Sequence, residues 1–172
     1  MNPAPHIASL ARFPAILEPL IRPLPIDDLR YKPDAQHWSI LEVLAHLADE
    51  ECEDFRVRIK STLDDPAAKW PPLDFDNIAE RRGYNALDPN ETLDRFLRER
   101  AASLGWLRSL DNPDWSRAFV HEKFGPMHAG MLLANWAAHD LLHLRQITKR
   151  LFELTARNAQ PYTTQYAGEW TA

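Results

Sequence analysis

The sequence is short of the residues that make tight turns and cross-links, with 5 glycines and 1 cysteine in 172 residues. A single cysteine, Cys52, cannot close a disulfide within the chain or build a thiolate cluster, so any metal falls to His, Asp or Glu. Valine and isoleucine are scarce at 3 and 8, which argues against a fold built on strands. No uncharged apolar run approaches the ~20 residues that a membrane span needs. The amino terminus, MNPAPHIASLARF, lacks a basic segment leading into an apolar stretch, so a cytoplasmic location is expected. Basic charge is also in deficit: 20 Lys and Arg face 25 Asp and Glu, a net −5, with no long run of either cation. That balance disfavours nucleic acid and anionic membrane as partners. Familiar catalytic signatures are missing too: Gly-x-Ser-x-Gly, a glycine-rich phosphate loop, the Glu-x-x-His of di-iron bundles and the His-Glu-x-x-His of metalloproteases.

What is abundant is helix-forming material. Leucine and alanine number 23 and 22, and both favour helix over strand. The apolar fraction of 45% and charged fraction of 26% suit one folded domain spanning residues 1–172 rather than a disordered chain. Fourteen prolines predict long, stiff connections in place of glycine turns.

Four helices are predicted. Pro5 to Leu24 carries apolar residues at helical spacing but is interrupted by Pro14 and Pro19, so its helix should be bent or start late. Ser39-Ile40-Leu41-Glu42 is a Ser-x-x-Glu capping box. It opens a stripe through Leu41, Leu44, Ala48, Cys52, Phe55, Ile59 and Leu63, which sets a second helix at about Ser39 to Leu63. Asp88-Pro89-Asn90-Glu91 starts a third with an acidic cap and a proline in the first turn. A possible short extended piece at Ala118 to Val120 precedes the Phe124-Gly125-Pro126 turn, and the last helix runs from about Ala129 to Leu154. The link from Asp64 to Leu87 is far longer than the ~2 to 8 residues that join antiparallel helices. At ~3.3 Å per residue it can run the length of the second helix, so a crossover leaving the second and third helices parallel is feasible.

Seven histidines are present, and three fall inside the predicted helices. His139 and His143 stand one turn apart, so their rings project from one face and can converge on an ion. His46 is the third candidate, since two helices of one bundle can bring three imidazoles together. On a helical wheel, however, it lies over ~100° from the centre of its stripe, among Glu42, Glu50 and Glu53, where a solvated histidine is the simpler reading. Cys52 falls on the apolar stripe and reads as a buried, inert thiol.

Three segments, Trp38 to Glu51, Phe124 to Met127 and Asn135 to Ile147, resemble in order and spacing the DinB-like superfamily of small four-helix metalloproteins. The resemblance implies an all-α four-helix bundle with up-down-down-up connectivity, often a homodimer. It also implies a divalent metal on the positions matching His46, His139 and His143. Members include thiol transferases that use bacillithiol or mycothiol and a thiol-dependent isomerase, and DNA binding does not follow from the family name. Three imidazoles leave open positions on an ion, as a catalytic site requires. Zn²⁺ or Ni²⁺ suits them, and imidazole serves Fe²⁺ as well. The expectation is a metal-dependent hydrolase or low-molecular-weight-thiol transferase acting on a small molecule, with a thiol as cosubstrate in the second case. The alternative is a metal-binding or dimerisation module without turnover. Glu42, Asp49 and Glu50 could orient His46 or accept a proton, though each singly reads as part of a solvated acidic face. Gln146 could act on the histidines from behind. His128 stands where relatives carry a hydroxyl residue and reads first as a polar group at the helix start. Trp70, Phe75 and Tyr84 of the crossover, and the His121 to Met127 connection, are candidate walls of the open side.

Overall fold

The computed structural model describes residues 1–72 and 76–171. Its long elements are α1 (Ala4–Ile21), α3 (Ile40–Asp49) continuing through a π-helical turn (Glu50–Asp54) into α4 (Phe55–Asp64), α6 (Pro89–Ser109) and α7 (Ala129–Asn158). Short helices α2 (Ile26–Leu29) and α5 (Ile78–Arg81) lie in the connections, and β1 (Ala118–His121) pairs antiparallel with β2 (Gly125–His128) ahead of α7.

The start signals act as read. Ser39 accepts from the Glu42 amide while the Glu42 carboxylate accepts from the Ser39 amide, which closes the capping box, and Asp88 accepts from the Glu91 amide. Each such cap contributes about 1 kcal/mol. The first helix does not start late; it opens at Ala4 and holds Pro14 and Pro19 inside it.

Contacts between helices give the wiring. Along α6, Arg95 meets Asp49 and Cys52, Arg100 meets Glu51, and Ser103 meets Arg56, so the numbering rises together and the two helices are parallel. His46 faces His143 and His139, and Phe55 stacks on Trp136, so α7 runs antiparallel to α3 and α4. Arg22 pairs with Asp94 and Arg100 reaches the Leu10 carbonyl, which sets α1 antiparallel to α6. The result is a four-helix bundle wired up-down-down-up, with residues 65–88 as the crossover.

Two large apolar clusters fill the bundle, beside a smaller one where the crossover meets α3. Phe13, Leu17, Leu41, Leu44, Phe96 and Ile147 belong to one, and Leu10, Phe55, Ile59, Leu104, Leu133 and Trp136 to the other. Between them, on three helices at one level, lie Glu51, Arg100 and Asp140, each at most 2% exposed. Arg100 uses all its donors: Nε and Nη2 reach Glu51 Oε1 at 2.9 and 2.5 Å, Nη1 and Nη2 reach the Asp140 carboxylate at 2.8 and 2.9 Å, and Nη1 also reaches the Leu10 carbonyl at 2.9 Å. The Trp136 indole donates to Glu51 Oε1 at 2.9 Å. Leu10 precedes Pro14 by four residues, and proline has no N–H to fill that carbonyl. Arg100 fills it instead, and so ties α1 to the other three long helices.

Candidate metal centre

α3 is enclosed on every side. All ten of its residues are buried, His46 at 6% exposure among them, because α6, α7, α2 and the crossover pack around it. The wheel-based reading of His46 as solvated is therefore wrong: a wheel assumes one buried face, and this helix has no exposed one. The same correction applies to the acidic face. Glu42 is occupied by the capping box and by Lys32 at 2.9 Å. Asp49 accepts from Tyr84, Arg95 and Arg82, which pins the crossover and α6 to the end of α3 rather than orienting a histidine. Of the three carboxylates only Glu50 reaches His46, with Oε1 3.7 Å from Nδ1, longer than a hydrogen bond. Burial and the neighbouring Asp54 hold the Glu50 carboxyl well above the usual carboxylate range.

His46, His139 and His143 bring one ring nitrogen each to a common point, all within 4.8 Å of one another. Nε2 of His139 is 3.2 Å from Nε2 of His46 and 3.0 Å from Nε2 of His143. Trp38 packs edge-on to His46 and parallel to His143, and Phe55 packs edge-on to His139, so aromatic rings shield the cluster. Burial drives every one of the imidazoles toward the neutral form: His46 falls to about 3, and His139 and His143 fall as well, His143 least opposed by charge and partly restored by Gln146.

The proton arithmetic of these neutral rings does not close. His143 Nδ1 meets Gln146 Oε1 at 2.9 Å, so it carries the proton and donates, which leaves His143 Nε2 with a bare lone pair. His139 Nε2 must then serve two neighbours, yet a ring nitrogen offers one proton or one lone pair and can satisfy one of them. Nδ1 of His46 and Nδ1 of His139 are buried with no hydrogen-bond partner among the described residues. A cation at the common point would resolve the conflict, since it accepts all three lone pairs. Zn–N bonds of about 2.05 Å at tetrahedral angles put ligand nitrogens about 3.3 Å apart, close to the 3.2 and 3.0 Å from His139 to its two neighbours. The residues present therefore fit a divalent ion with three neutral imidazole ligands.

The remaining candidates lie elsewhere. Gln146 does stand behind the cluster, as an acceptor for His143 rather than a partner of His139. His128 stands at the first position before α7 without capping it, its Nδ1 2.7 Å from the Ser116 carbonyl, and takes no part in the cluster. Tyr84 is buried against Asp49 and is no wall of the site, Trp70 stacks on Phe119 of the hairpin at 4.2 Å, and Phe75 lies outside the described residues. Cys52 is half-buried rather than buried, and burial raises its thiol pKa, so it stays a thiol. The sequence reading missed the shielding roles of Trp38 and Phe55. It also missed the ionic group beside the cluster, although Arg100 and Asp140 stand at stripe positions of their helices.

The sequence model of the DinB superfamily matches residues 9–147. The chain belongs to the DinB superfamily. Among solved structures of similar fold is YfiT from Bacillus subtilis, a probable metal-dependent hydrolase with an unusual four-helix bundle topology. It superposes with a TM-score of 0.78 over 90% of this chain and 88% of that one, at 21% identity. At that identity the likeness carries the DinB fold alone. No curated protein matches the chain. Among the described residues no helix of this DinB-superfamily chain is long and apolar enough to cross a membrane.

Proposed function

We propose that this protein is a divalent-metal-dependent enzyme acting on a small molecule, as a hydrolase or a low-molecular-weight-thiol transferase, with His46, His139 and His143 as the ligands. One observation supports the reading: His46, buried, and His139 and His143, half-buried, bring one ring nitrogen each within 4.8 Å of one another, and hydrogen bonds among these nitrogens cannot satisfy all three. The description of YfiT as a probable metal-dependent hydrolase points the same way. A divalent ion held by such ligands supplies Lewis acidity and lowers the pKa of a water or thiol that it binds.

The chain's own residues do the rest. Gln146 fixes the His143 tautomer that presents Nε2, while Trp38 and Phe55 exclude water from one side of the cluster and hold the rings in place. Cys52 is kept protonated, so thiol chemistry in this site comes from a cosubstrate. Zn²⁺ or Ni²⁺ is the ion of first choice, with Fe²⁺ also compatible.

Elemental analysis of untagged protein tests the ligand set, with about one divalent ion per chain expected in the wild type and none in His139→Ala. Equal and negligible metal in both overturns it. Hydrolysis of 4-nitrophenyl acetate and conjugation of cysteine to 1-chloro-2,4-dinitrobenzene by metal-loaded protein test turnover. One of the two must exceed background and disappear in His46→Ala; bound metal with neither activity favours the binding module instead.

A further inference from the structure

A recess of about 400 Å³ lies where the later turns of α7 meet the loop before α3 and the C-terminal segment. Its polar and aromatic lining is His37, Arg145, Gln146, Lys149, Arg150 and Trp170. The volume suits a small molecule or one end of it. In a chain of net charge −5, this lining holds three Lys or Arg side chains and no Asp or Glu.

The neighbours of these groups show which are spoken for. Arg150 is buried and paired with Glu153, and His37 gives Nδ1 to Asp34 at 2.7 Å. Among the described residues Arg145 and Lys149 have no acidic partner, yet they stand one helical turn apart, where like charges weaken a helix. Gln146 spends Oε1 on His143, which leaves its amide N–H groups. What the neighbours leave free is therefore a set of donors: a guanidinium, an ammonium and an amide NH₂. Such a set calls for a ligand that only accepts, and charge-assisted bonds from Arg and Lys favour an anion. Trp170, set against Phe152 at 5.7 Å, adds a flat apolar wall. Gln146 belongs both to this recess and to the support of His143, so an occupant lies one side chain away from the histidine cluster.

We propose that the recess binds an anionic oxygen group, carboxylate or phosphate, of the small molecule whose reacting part meets the histidine cluster. The assignment of that reacting part rests on the metal-dependent reading above; the anion site itself stands on Arg145, Lys149 and Gln146. Calorimetric titration of the full chain at low ionic strength tests it, with succinate, inorganic phosphate and uncharged succinamide as probes, on the wild type and on Arg145→Gln/Lys149→Gln. Metal per chain is measured on both proteins. At least one anion should bind saturably to the wild type, about tenfold or more weakly to the double variant, while succinamide binds neither. The tighter of succinate and phosphate names the group. Saturable binding of neither anion, or equal affinity in the two proteins, overturns the proposal. Because both substitutions leave His46, His139 and His143 untouched, metal content decides the reading beneath and anion affinity decides this one.

Discussion

Two polar clusters lie side by side in the bundle, on the α3–α4 helix and on α7, and their hydrogen bonding differs. Glu51 and Asp140 clasp Arg100, whose five donors all meet acceptors. One residue from Asp140 on α7, His139 belongs with His46 and His143 to a group in which hydrogen bonds among the crowded Nε2 atoms cannot all be satisfied. Buried polar groups in native proteins are nearly always satisfied. In the first cluster every donor of the cation is paired, with Glu51 Oε2 alone left over, and the cluster serves the fold; three crowded ligating nitrogens whose protons cannot all be placed fit a ligand instead. The ionic group also does positional work for the other cluster. It fixes the π-helical turn and α7 against α6 and α1 at the level of the histidines.

The largest effect should come from breaking the ionic cluster. Arg100→Leu leaves the Glu51 and Asp140 carboxylates buried without a counter-charge, which costs about 3–5 kcal/mol out of a total stability of about 5–15 kcal/mol. Urea denaturation, or loss of soluble protein, reads this out. A loss below about 1 kcal/mol would mean that the ionic cluster does not hold the bundle and would remove one side of the comparison. The histidine cluster should behave in the reverse way. Added zinc at a hundred times its Kd should raise wild-type stability by about 2.7 kcal/mol, and a chelator should return it to the starting value. His139→Ala should show no zinc response while its metal-free stability stays near that of the wild type. A zinc response that survives His139→Ala would place the ion elsewhere.

Gln146→Leu sharpens the contrast within the histidine cluster itself. Losing the acceptor that sets the His143 tautomer should weaken metal binding by about 10- to 100-fold, measured by competition with a chromophoric chelator, and Gln146→Glu, which restores an acceptor, should recover most of it. Equal affinities in all three proteins would show that His143 needs no support.

How much of this was legible depends on range. Caps, stripes and the His139 and His143 pair are local, and the Ser39 capping box, the Asp88 cap, the crossover and the extended piece at Ala118 to Val120 appear in the structure close to where residue spacing puts them, whereas Gly125 and Pro126, read as a turn, begin β2. His46 was not legible from the wheel, because its burial depends on what packs around all sides of α3. The π-helical turn leaves no periodic mark in Glu50-Glu51-Cys52-Glu53-Asp54, and it exchanges the expected roles: Glu51 is buried at 1% exposure, while Cys52 is half-exposed. The ionic cluster did leave a trace. Arg100 sits between Phe96 and Leu104 on its apolar stripe, and Asp140 sits between Trp136 and Leu144 on its own. A charged residue in the middle of an apolar stripe signals a buried partner of opposite sign, and two such residues on different helices point to each other.

The smallest expected effect lies at the seam between the clusters. Glu50 is adjacent in sequence to Glu51 but faces His46 at 3.7 Å, too far for a hydrogen bond, and it is buried beside Asp54 with its carboxyl held above the normal range. Unlike Gln146, it does not fix a tautomer. Glu50→Gln keeps the shape and, since a carboxyl raised to about 9 is already neutral at pH 7, replaces one neutral group by another, so stability should stay within about 1 kcal/mol of wild type. Metal affinity should change far less than in Gln146→Leu, less than about tenfold. Chelator competition and urea melts on the two variants side by side measure both. If Glu50→Gln instead weakened metal binding as much as Gln146→Leu, the 3.7 Å gap would have to close when the ion binds. Glu50 would then belong to the ligand's side of the comparison rather than to the seam.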